Sequence, residues 1–210
     1  MGDLLFVTAT GLDDRTDLVR LAELSSRFDV EWGILMSPGA QDLYNRFPSF
    51  ATIDRALALG VRLSAHLCGR HAKQVMKGEF DRTSLPLDGF QRIQVNHLKP
   101  VPAMVAAVAG PGQSMIAQWR GAEAFPAHDE GISWLFDPSG GRGVAPSSWP
   151  VNPGPSAVGF AGGITPDTIG DVRVAASAGT SSDFWLDFEA GARTDDWFDL
   201  DLVERALIAV

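Results

Sequence analysis

Eight short apolar stretches, distributed evenly along a chain of 210 residues, are the feature that most constrains the fold. They span 4–9, 30–36, 61–67, 90–95, 114–119, 132–136, 157–161 and 184–188. Each has the length and composition of a buried β-strand. Because strands that are apolar throughout are buried on both faces, the pattern predicts parallel pairing with helices outside the sheet.

Segments with helical spacing or a polar loop follow these strands. The predicted helices cover 14–27, 51–59, 69–77, 102–109, a weak segment 122–130 interrupted by Pro126, 165–178 and 200–210. Thr165 and Pro166 have the composition of a helix cap and a first helical position. The stretch 138–155 is rich in Gly, Pro and Ser and lacks periodicity, so it is predicted to shorten or replace the sixth helix.

Eight alternating units predict a single compact (β/α)₈ TIM barrel over residues 1–210, in the α/β class. An open doubly wound sheet is the alternative, because periodicity alone does not distinguish a closed sheet from an open one.

Charge and cysteine content exclude several classes of protein. The formal net charge is -9 and the basic residues are scattered, which disfavours nucleic-acid and anionic-membrane surfaces. Cys68 is the only cysteine, so no intramolecular disulfide forms and a reducing compartment is expected. No secretory signal and no stretch of membrane-spanning length is found, and we expect a cytoplasmic protein without a cofactor. An exposed apolar helix face would support a homodimer.

Polar residues stand where the predicted strands end, which is where barrel enzymes assemble their active sites. Thr10, His66, Asn96, Asp137 and Glu189 follow or end five different strands. Asp137 is the candidate general acid, and His66 or Glu189 is the candidate base. The alternative is a divalent-metal site made by His66, His97, Asp137 and Glu189; we predict no metal.

Two glycine-rich loops follow the sixth and seventh strands. Gly140, Gly141 and Gly143 come just after Asp137 and would let the backbone approach a ligand closely. Gly162 and Gly163 precede the predicted cap at Thr165, an arrangement that presents backbone N–H groups to an anion.

In their order along the chain, these motifs resemble one family, the phosphoribosylanthranilate isomerases of the ribulose-phosphate-binding barrels. The residues that carry the resemblance are Thr10-Gly11-Leu12, Asn45-Arg46-Phe47-Pro48-Ser49, Gln94-Val95-Asn96, Asp137 with Gly140-Gly141-Arg142-Gly143 and Trp149, Ala161 to Pro166, and Glu189-Ala190-Gly191. The motifs of the sixth and seventh strands are specific in combination.

The resemblance implies the barrel fold and assigns roles to individual residues. Asp137 takes the place of the general acid, and Thr10 replaces the cysteine that serves the family as general base. A threonine hydroxyl has no ionised form near neutral pH, so it does not replace a thiolate. Glu189 stands where the family has a small serine beside a phosphate. The implied substrate-binding residues are Arg46, Gln94, Asn96, Gly140, Gly141, Arg142, Gly143, Gly162, Gly163, Gly191 and Arg193.

The sequence therefore predicts a divergent isomerase or epimerase acting on a small sugar-like or carboxylated anionic substrate. Two alternatives stay open: a ligand-binding barrel that lost the family base and its activity, and a metal-assisted epimerase.

Overall fold

The computed structural model describes residues 1–40, 44–121, 124–128 and 131–210, and shows a closed barrel of eight parallel strands in chain order. The strands are β1 (Leu4–Thr10), β2 (Val30–Met36), β3 (Leu63–Leu67), β4 (Arg92–Val95), β5 (Ser114–Trp119), β6 (Ile132–Phe136), β7 (Val158–Ala161) and β8 (Phe184–Phe188). The last strand pairs with the first, with Leu186 opposite Val7 and Asp187 opposite Thr8. The predicted barrel is confirmed, and the open sheet is wrong.

Six helices surround the strands in the described parts of the chain. They are α1 (Leu18–Arg27), α2 (Phe50–Leu57), α3 (Gly69–Lys77), α4 (Pro102–Ala106), α5 (Ile169–Gly179) and α6 (Leu200–Ile208). Short 3₁₀ turns cover Arg82–Ser84, Leu87–Gly89 and Ala190–Ala192. A two-stranded antiparallel ribbon follows the last of these turns, formed by β9 (Arg193–Thr194) and β10 (Trp197–Phe198).

Side-chain caps set where several helices begin. Asp17 accepts hydrogen bonds from the backbone N–H groups of Val19 and Arg20, so α1 begins later than position 14. The helix predicted from Thr165 begins only at Ile169. The Thr168 hydroxyl accepts from the Thr165 N–H at 3.0 Å, so this short turn forms the connection before α5.

Two segments between strands lack a helix. The weak helix predicted over 122–130 is wrong for 124–128, where Ala124 instead forms an isolated bridge with Val151; 122–123 and 129–130 lie outside the described residues. Between β6 and β7 residues 137–157 contain no helix, which confirms that a loop replaces the sixth helix.

The barrel interior combines a small apolar cluster with buried charges. Ile116, Leu135, Ala161 and Trp185 form the cluster, separate from the larger core between strands and helices. Toward the amino-terminal ends of the strands, Arg92 donates to Glu31 at 2.9 Å. The barrel interior therefore contains charged groups near the amino-terminal ends of the strands as well as polar groups at its mouth. Among the described residues, no helix is both long and apolar enough to cross a membrane.

Candidate active site

A cavity of roughly 700 Å³, counting its open mouth, lies at the carboxyl ends of the strands. Its lining residues come from six strands or the loops that follow them: Thr10, His66, Gln94, Asn96, Leu135, Asp137, Ser139, Gly141, Gly143, Ala161, Gly162, Gly163, Ile164, Thr165, Asp187, Phe188, Glu189, Ala190 and Gly191. This is the place where barrel enzymes carry out their chemistry.

Asp137, at the end of β6, is held by an unusually complete set of donors. One oxygen accepts from the Ser139 N–H at 3.1 Å, the Ser139 hydroxyl at 2.8 Å and the Gly140 N–H at 3.0 Å. The other accepts from the Gln118 side-chain amide at 2.7 Å and the Gly141 N–H at 2.8 Å. Both oxygens of the carboxylate are thus hydrogen-bond acceptors. The carboxylate fixes the start of the glycine-rich loop.

Asp187 is the residue next to last in β8, and its carboxyl group is 5% exposed. The Thr10 hydroxyl donates to its Oδ1 at 2.6 Å. Burial raises the pKa of Asp187 to about 8, and the neighbouring carboxylates of Glu189, Asp137 and Glu31 act in the same direction. Asp187 therefore carries a proton at neutral pH.

Glu189 follows β8 and reaches the same cavity. Arg46 donates to it at 3.1 Å, and Arg46 also donates to Asp196 at 2.9 Å. Burial raises the pKa of Glu189 above its ordinary value, although Arg46 and Arg193 oppose the shift. A salt bridge thus connects the loop after β2 with the loop after β8 at the rim of the cavity.

His66 on β3 belongs to a chain of neutral hydrogen bonds. The Gln94 amide donates to its Nδ1 at 3.2 Å, which leaves Nε2 to donate to the Ser64 hydroxyl at 3.0 Å. Burial, and secondarily the charge of Arg92, lower the pKa of His66 to about 3. A neutral imidazole whose free nitrogen already accepts a hydrogen bond is a weak base for catalysis.

The same chain of hydrogen bonds continues to Cys68. Gln94 donates to Asn96 at 2.9 Å, and Asn96 donates to the Cys68 sulfur at 3.3 Å. Burial raises the pKa of the Cys68 thiol to about 12, so it stays protonated and unreactive. The one cysteine of this chain therefore does not supply the thiolate that is missing at Thr10.

Glycines form one wall of the cavity because the loops pack closely there. Gly163 has φ +65°, and a Cβ atom at this position would lie 2.3 Å from the Ala145 backbone nitrogen. A Cβ at Gly191 would lie 2.2 Å from the Ile164 carbonyl oxygen. The loops after β6, β7 and β8 therefore contact one another through positions without side chains.

Four predicted substrate-binding residues do not line the cavity: Arg46, Gly140, Arg142 and Arg193. Arg193 is bonded to the Gly11 carbonyl at 2.7 Å and to Asp13 at 3.1 Å, with its side chain 3% exposed. Arg142 donates through Nε to the Ser139 carbonyl at 2.9 Å. Arg46 reaches the site only through Glu189. The other predicted site residues are brought together.

The charge of the cavity differs from the one expected for an anion site. Asp137, Asp187 and Glu189 line it, and among the described residues no lysine or arginine does. A phosphate dianion in this position would meet three carboxyl groups, while the nearby Arg46 is already paired with Glu189.

The alternative metal cluster is not assembled. His97 lies outside the lining residues and its Nδ1 is 2.9 Å from the Lys99 carbonyl oxygen. Within the described ranges no group of three or more His, Cys, Asp or Glu side chains could hold a metal ion.

Asp187, Gln118 and Ser139 were not among the residues predicted from the sequence. Asp187 and Gln118 lie one residue before a strand end, and Ser139 lies between Asp137 and the loop glycines. Asp187 could have been found, because it is the one charged residue in the strand FWLDF. It is also two positions from Glu189, so the two side chains lie on the same face of the strand. Ser139 carries no comparable signal.

Comparison with known proteins supports the same fold. No protein-family model and no curated protein matches the chain. The phosphoribosyl anthranilate isomerase of Thermus thermophilus aligns with a TM-score of 0.63 and 16% identity, covering 97% of both chains. A monomeric form of the dimeric enzyme of Thermotoga maritima aligns with a TM-score of 0.61 and 12% identity. The Pyrococcus furiosus enzyme aligns with a TM-score of 0.56 and 13% identity, and each alignment covers 98% of both chains. The fold is therefore that of phosphoribosylanthranilate isomerases, at low identity.

Proposed function

We propose that this protein is an isomerase or epimerase that moves a proton within a small sugar-like substrate bound in the cavity of the barrel mouth. The observation that carries the proposal is that Asp187 and Glu189, two carboxyl groups with raised pKa values, line the same glycine-walled cavity. A carboxyl group whose pKa is raised by burial both holds and takes up a proton more readily than an ordinary one. The fold of the structural neighbours supports the same class of reaction.

Glu189 is the proposed base. It lines the cavity, and its burial and its bond with Arg46 hold the side chain in one place. A carboxylate with a raised pKa removes a proton next to a carbonyl or imine more readily than an ordinary glutamate does. His66 fits this role less well. Its lowered pKa, about 3, means that it takes up a proton poorly, and its Nδ1 already accepts a hydrogen bond from Gln94.

Asp137 has a narrower role in this proposal than the general acid predicted from the sequence. Its oxygens are occupied by Gln118, Ser139, Gly140 and Gly141, so we assign it the task of holding the loop 137–141 against the substrate. Gln94 and Asn96 are placed to bind substrate hydroxyl groups from the opposite side of the cavity.

The charges favour a substrate without a phosphate group. Three carboxyl groups face the cavity, and Arg193 and Arg46, the cations that could have balanced a phosphate, are bonded to Asp13, Asp196 and Glu189. The anionic metabolite predicted from the sequence depended on Gly162 and Gly163 standing just before a helix. Because α5 begins only at Ile169, these glycines line the cavity but do not form a helix N-terminus, and an anionic substrate stays a prediction.

The experiment that tests the activity is proton exchange in D₂O, followed by NMR. Free pentoses and hexoses, their terminal phosphates and N-(5'-phosphoribosyl)anthranilate are incubated with the wild type and with Glu189→Gln. We expect deuterium at the carbon beside the carbonyl of a neutral sugar, and a loss of at least about 100-fold in Glu189→Gln. Binding of these compounds without exchange would favour a ligand-binding barrel instead.

We also propose the cytoplasm as the location, on the grounds of the single cysteine, and a homodimer as the assembly. The dimeric description of the Thermotoga maritima enzyme supports the second proposal. Sedimentation equilibrium tests it, and a single species of one chain's mass would contradict it.

A further inference from the structure

The pair formed by Thr10 and Asp187 has a close counterpart one layer deeper in the barrel. Thr8 donates to Glu31 at 3.0 Å, as Thr10 donates to Asp187 at 2.6 Å. Both threonines are on β1, two positions apart, and all four side chains are buried. Each pair joins β1 to a neighbouring strand through a threonine hydroxyl that donates to a carboxyl group, with Glu31 on β2 and Asp187 on β8. The two pairs differ in their surroundings.

The first difference is the counter-charge. Glu31 is bonded to Arg92 at 2.9 Å, whereas no ion pair of the described residues includes Asp187. Arg92 acts on Asp187 only through space. In the described parts of the chain, Asp187 also lacks the backbone donors that hold the carboxylate of Asp137. A buried carboxyl with neither a bonded cation nor such donors favours its neutral form, so Asp187 keeps its proton where Glu31 has a bonded cation.

The second difference is access. Thr10 and Asp187 line the cavity, and Thr8 and Glu31 do not. Because Oδ1 of Asp187 accepts from Thr10, the carboxyl proton belongs on Oδ2. The deeper pair is thus a structural ion-pair arrangement, and the upper pair presents a neutral acid to whatever occupies the cavity.

We propose that Asp187 is the proton donor of this site and that Thr10 is the residue that positions it. The inference rests on the proposed isomerase activity and deepens it. It gives Thr10 a task that a hydroxyl can perform, because orienting an acid needs no ionised threonine.

The step balances without a cofactor. Glu189 takes the proton from the carbon next to the carbonyl, and the C–H electron pair forms the new C=C bond. The carbonyl π electrons move to its oxygen, which takes the proton from Asp187, giving an enediol and an Asp187 carboxylate. In the second half Asp187 takes the proton of the neighbouring hydroxyl, and Glu189 returns its proton to the former carbonyl carbon.

The test compares four proteins in the D₂O exchange assay across pH 5 to 10, with the neutral sugar that the wild type exchanges fastest. We expect Asp187→Asn to lose at least about 100-fold in rate, because the amide has no proton to give. The wild-type rate should fall above about pH 8, where Asp187 ionises. In Thr10→Val this fall should move to higher pH. The hydrogen bond from Thr10 lowers the pKa of Asp187, so its removal raises that pKa. Thr8→Val, the matched control, should retain the wild-type profile.

A second readout does not depend on turnover. Carbon-13 NMR of aspartate carboxyl groups should show one aspartate that titrates near pH 8 in the wild type and is missing in Asp187→Asn. Active wild type with equally active Asp187→Asn would overturn the role of Asp187 as proton donor. A Thr10→Val profile identical to that of the wild type would overturn the positioning role of Thr10, and either result would leave the isomerase. Absence of exchange in the wild type would overturn the isomerase itself, and this inference with it.

Discussion

At the scale of single residues, burial decides which acids of this barrel are charged. Glu31 and Asp187 are both buried in the interior, but only Glu31 has a bonded arginine. Asp187 has no bonded cation among the described residues, and burial raises its pKa to about 8, so it carries its proton at neutral pH while lining the cavity.

The raised pKa of Asp187 predicts a pH dependence of stability. Between about pH 4 and pH 8 the folded state binds a proton that the unfolded state releases, so the free energy of unfolding falls as pH rises. His66 contributes with the opposite sign, but only between about pH 3 and 6.5, where the unfolded state binds the extra proton. Between pH 6.5 and 8, the pH dependence of the free energy of unfolding therefore reports on Asp187 rather than on His66.

Urea unfolding at pH 6.5 and 8 measures this effect. Between pH 6.5 and 8 we expect the free energy of unfolding to fall by roughly 1.5 kcal/mol more in the wild type than in Asp187→Asn. Glu189 and every other titrating group are common to both proteins and cancel in the comparison. Equal losses would show that Asp187 is ionised throughout.

Arg193 is predicted to stabilise the fold from its buried position. Its bond with Asp13 is buried on both sides, and Asp13 also accepts from the Phe198 N–H at 2.7 Å. Arg193→Met should lower the free energy of unfolding by about 3–5 kcal/mol, because it leaves a buried charge without a partner.

Arg205→Met is the control for this substitution. It removes an ion pair with Asp167 in which both side chains are largely exposed, so at most about 1 kcal/mol should be lost. Comparable losses for the two variants in urea unfolding would contradict the structural role of Arg193.

At the scale of the elements, the loops after β6 and β7 form the cavity wall by close contact. Gly163→Ala should be costly for two reasons, the positive φ and the approach to Ala145. Gly60→Ala is the matched control. Gly60 has φ +68°, so an alanine there has a similar unfavourable backbone conformation, but its Cβ would meet nothing within 4 Å.

We expect Gly163→Ala to lose about 1–3 kcal/mol more than Gly60→Ala in urea unfolding. Limited proteolysis should also cut near residue 145 faster in Gly163→Ala alone. If both variants behave alike, the loops do not pack against each other as described.

Most elements follow from the sequence because each carries a local signal. Strand β2 and helix α3 have the predicted bounds, since an apolar run and a glycine at position 78 set their ends. The start of α5 was missed because the Thr168 hydroxyl accepts from Thr165 and builds a separate turn. The helix expected over 122–130 failed where Ala124 bridges to Val151, a contact between distant positions that no local pattern contains.

The site was predictable in position and less so in chemistry. Thr10, His66, Asp137 and Glu189 meet in one cavity because the strand ends of a closed barrel converge. The bonds of Arg193 and the protonation of Asp187 depend on partners that are distant in sequence. Both depend on how the side chains pack in the folded protein, which cannot be read from the types of residue that stand at the strand ends.

At the scale of the whole molecule, this barrel combines a shared fold with a mouth lined by carboxyl groups. Nearly the whole chain aligns with solved phosphoribosylanthranilate isomerases. Its cavity is lined by three carboxyl groups, and Glu189 stands where the resemblance seen in the sequence implies a small serine beside a phosphate. We propose that this mouth binds a sugar-like substrate without a phosphate group.

The measurement that tests this claim most directly is calorimetry with two ligands that differ only in phosphate, a reduced phosphoribosylanthranilate analogue and its dephosphorylated form. The account predicts that the wild type binds the dephosphorylated form at least about ten-fold more tightly, a difference of about 1.4 kcal/mol. Glu189→Ser should reverse the preference, and Asp196→Asn, which also removes a partner of Arg46 but lies outside the cavity, should not. Tighter binding of the phosphorylated form by the wild type would contradict the account.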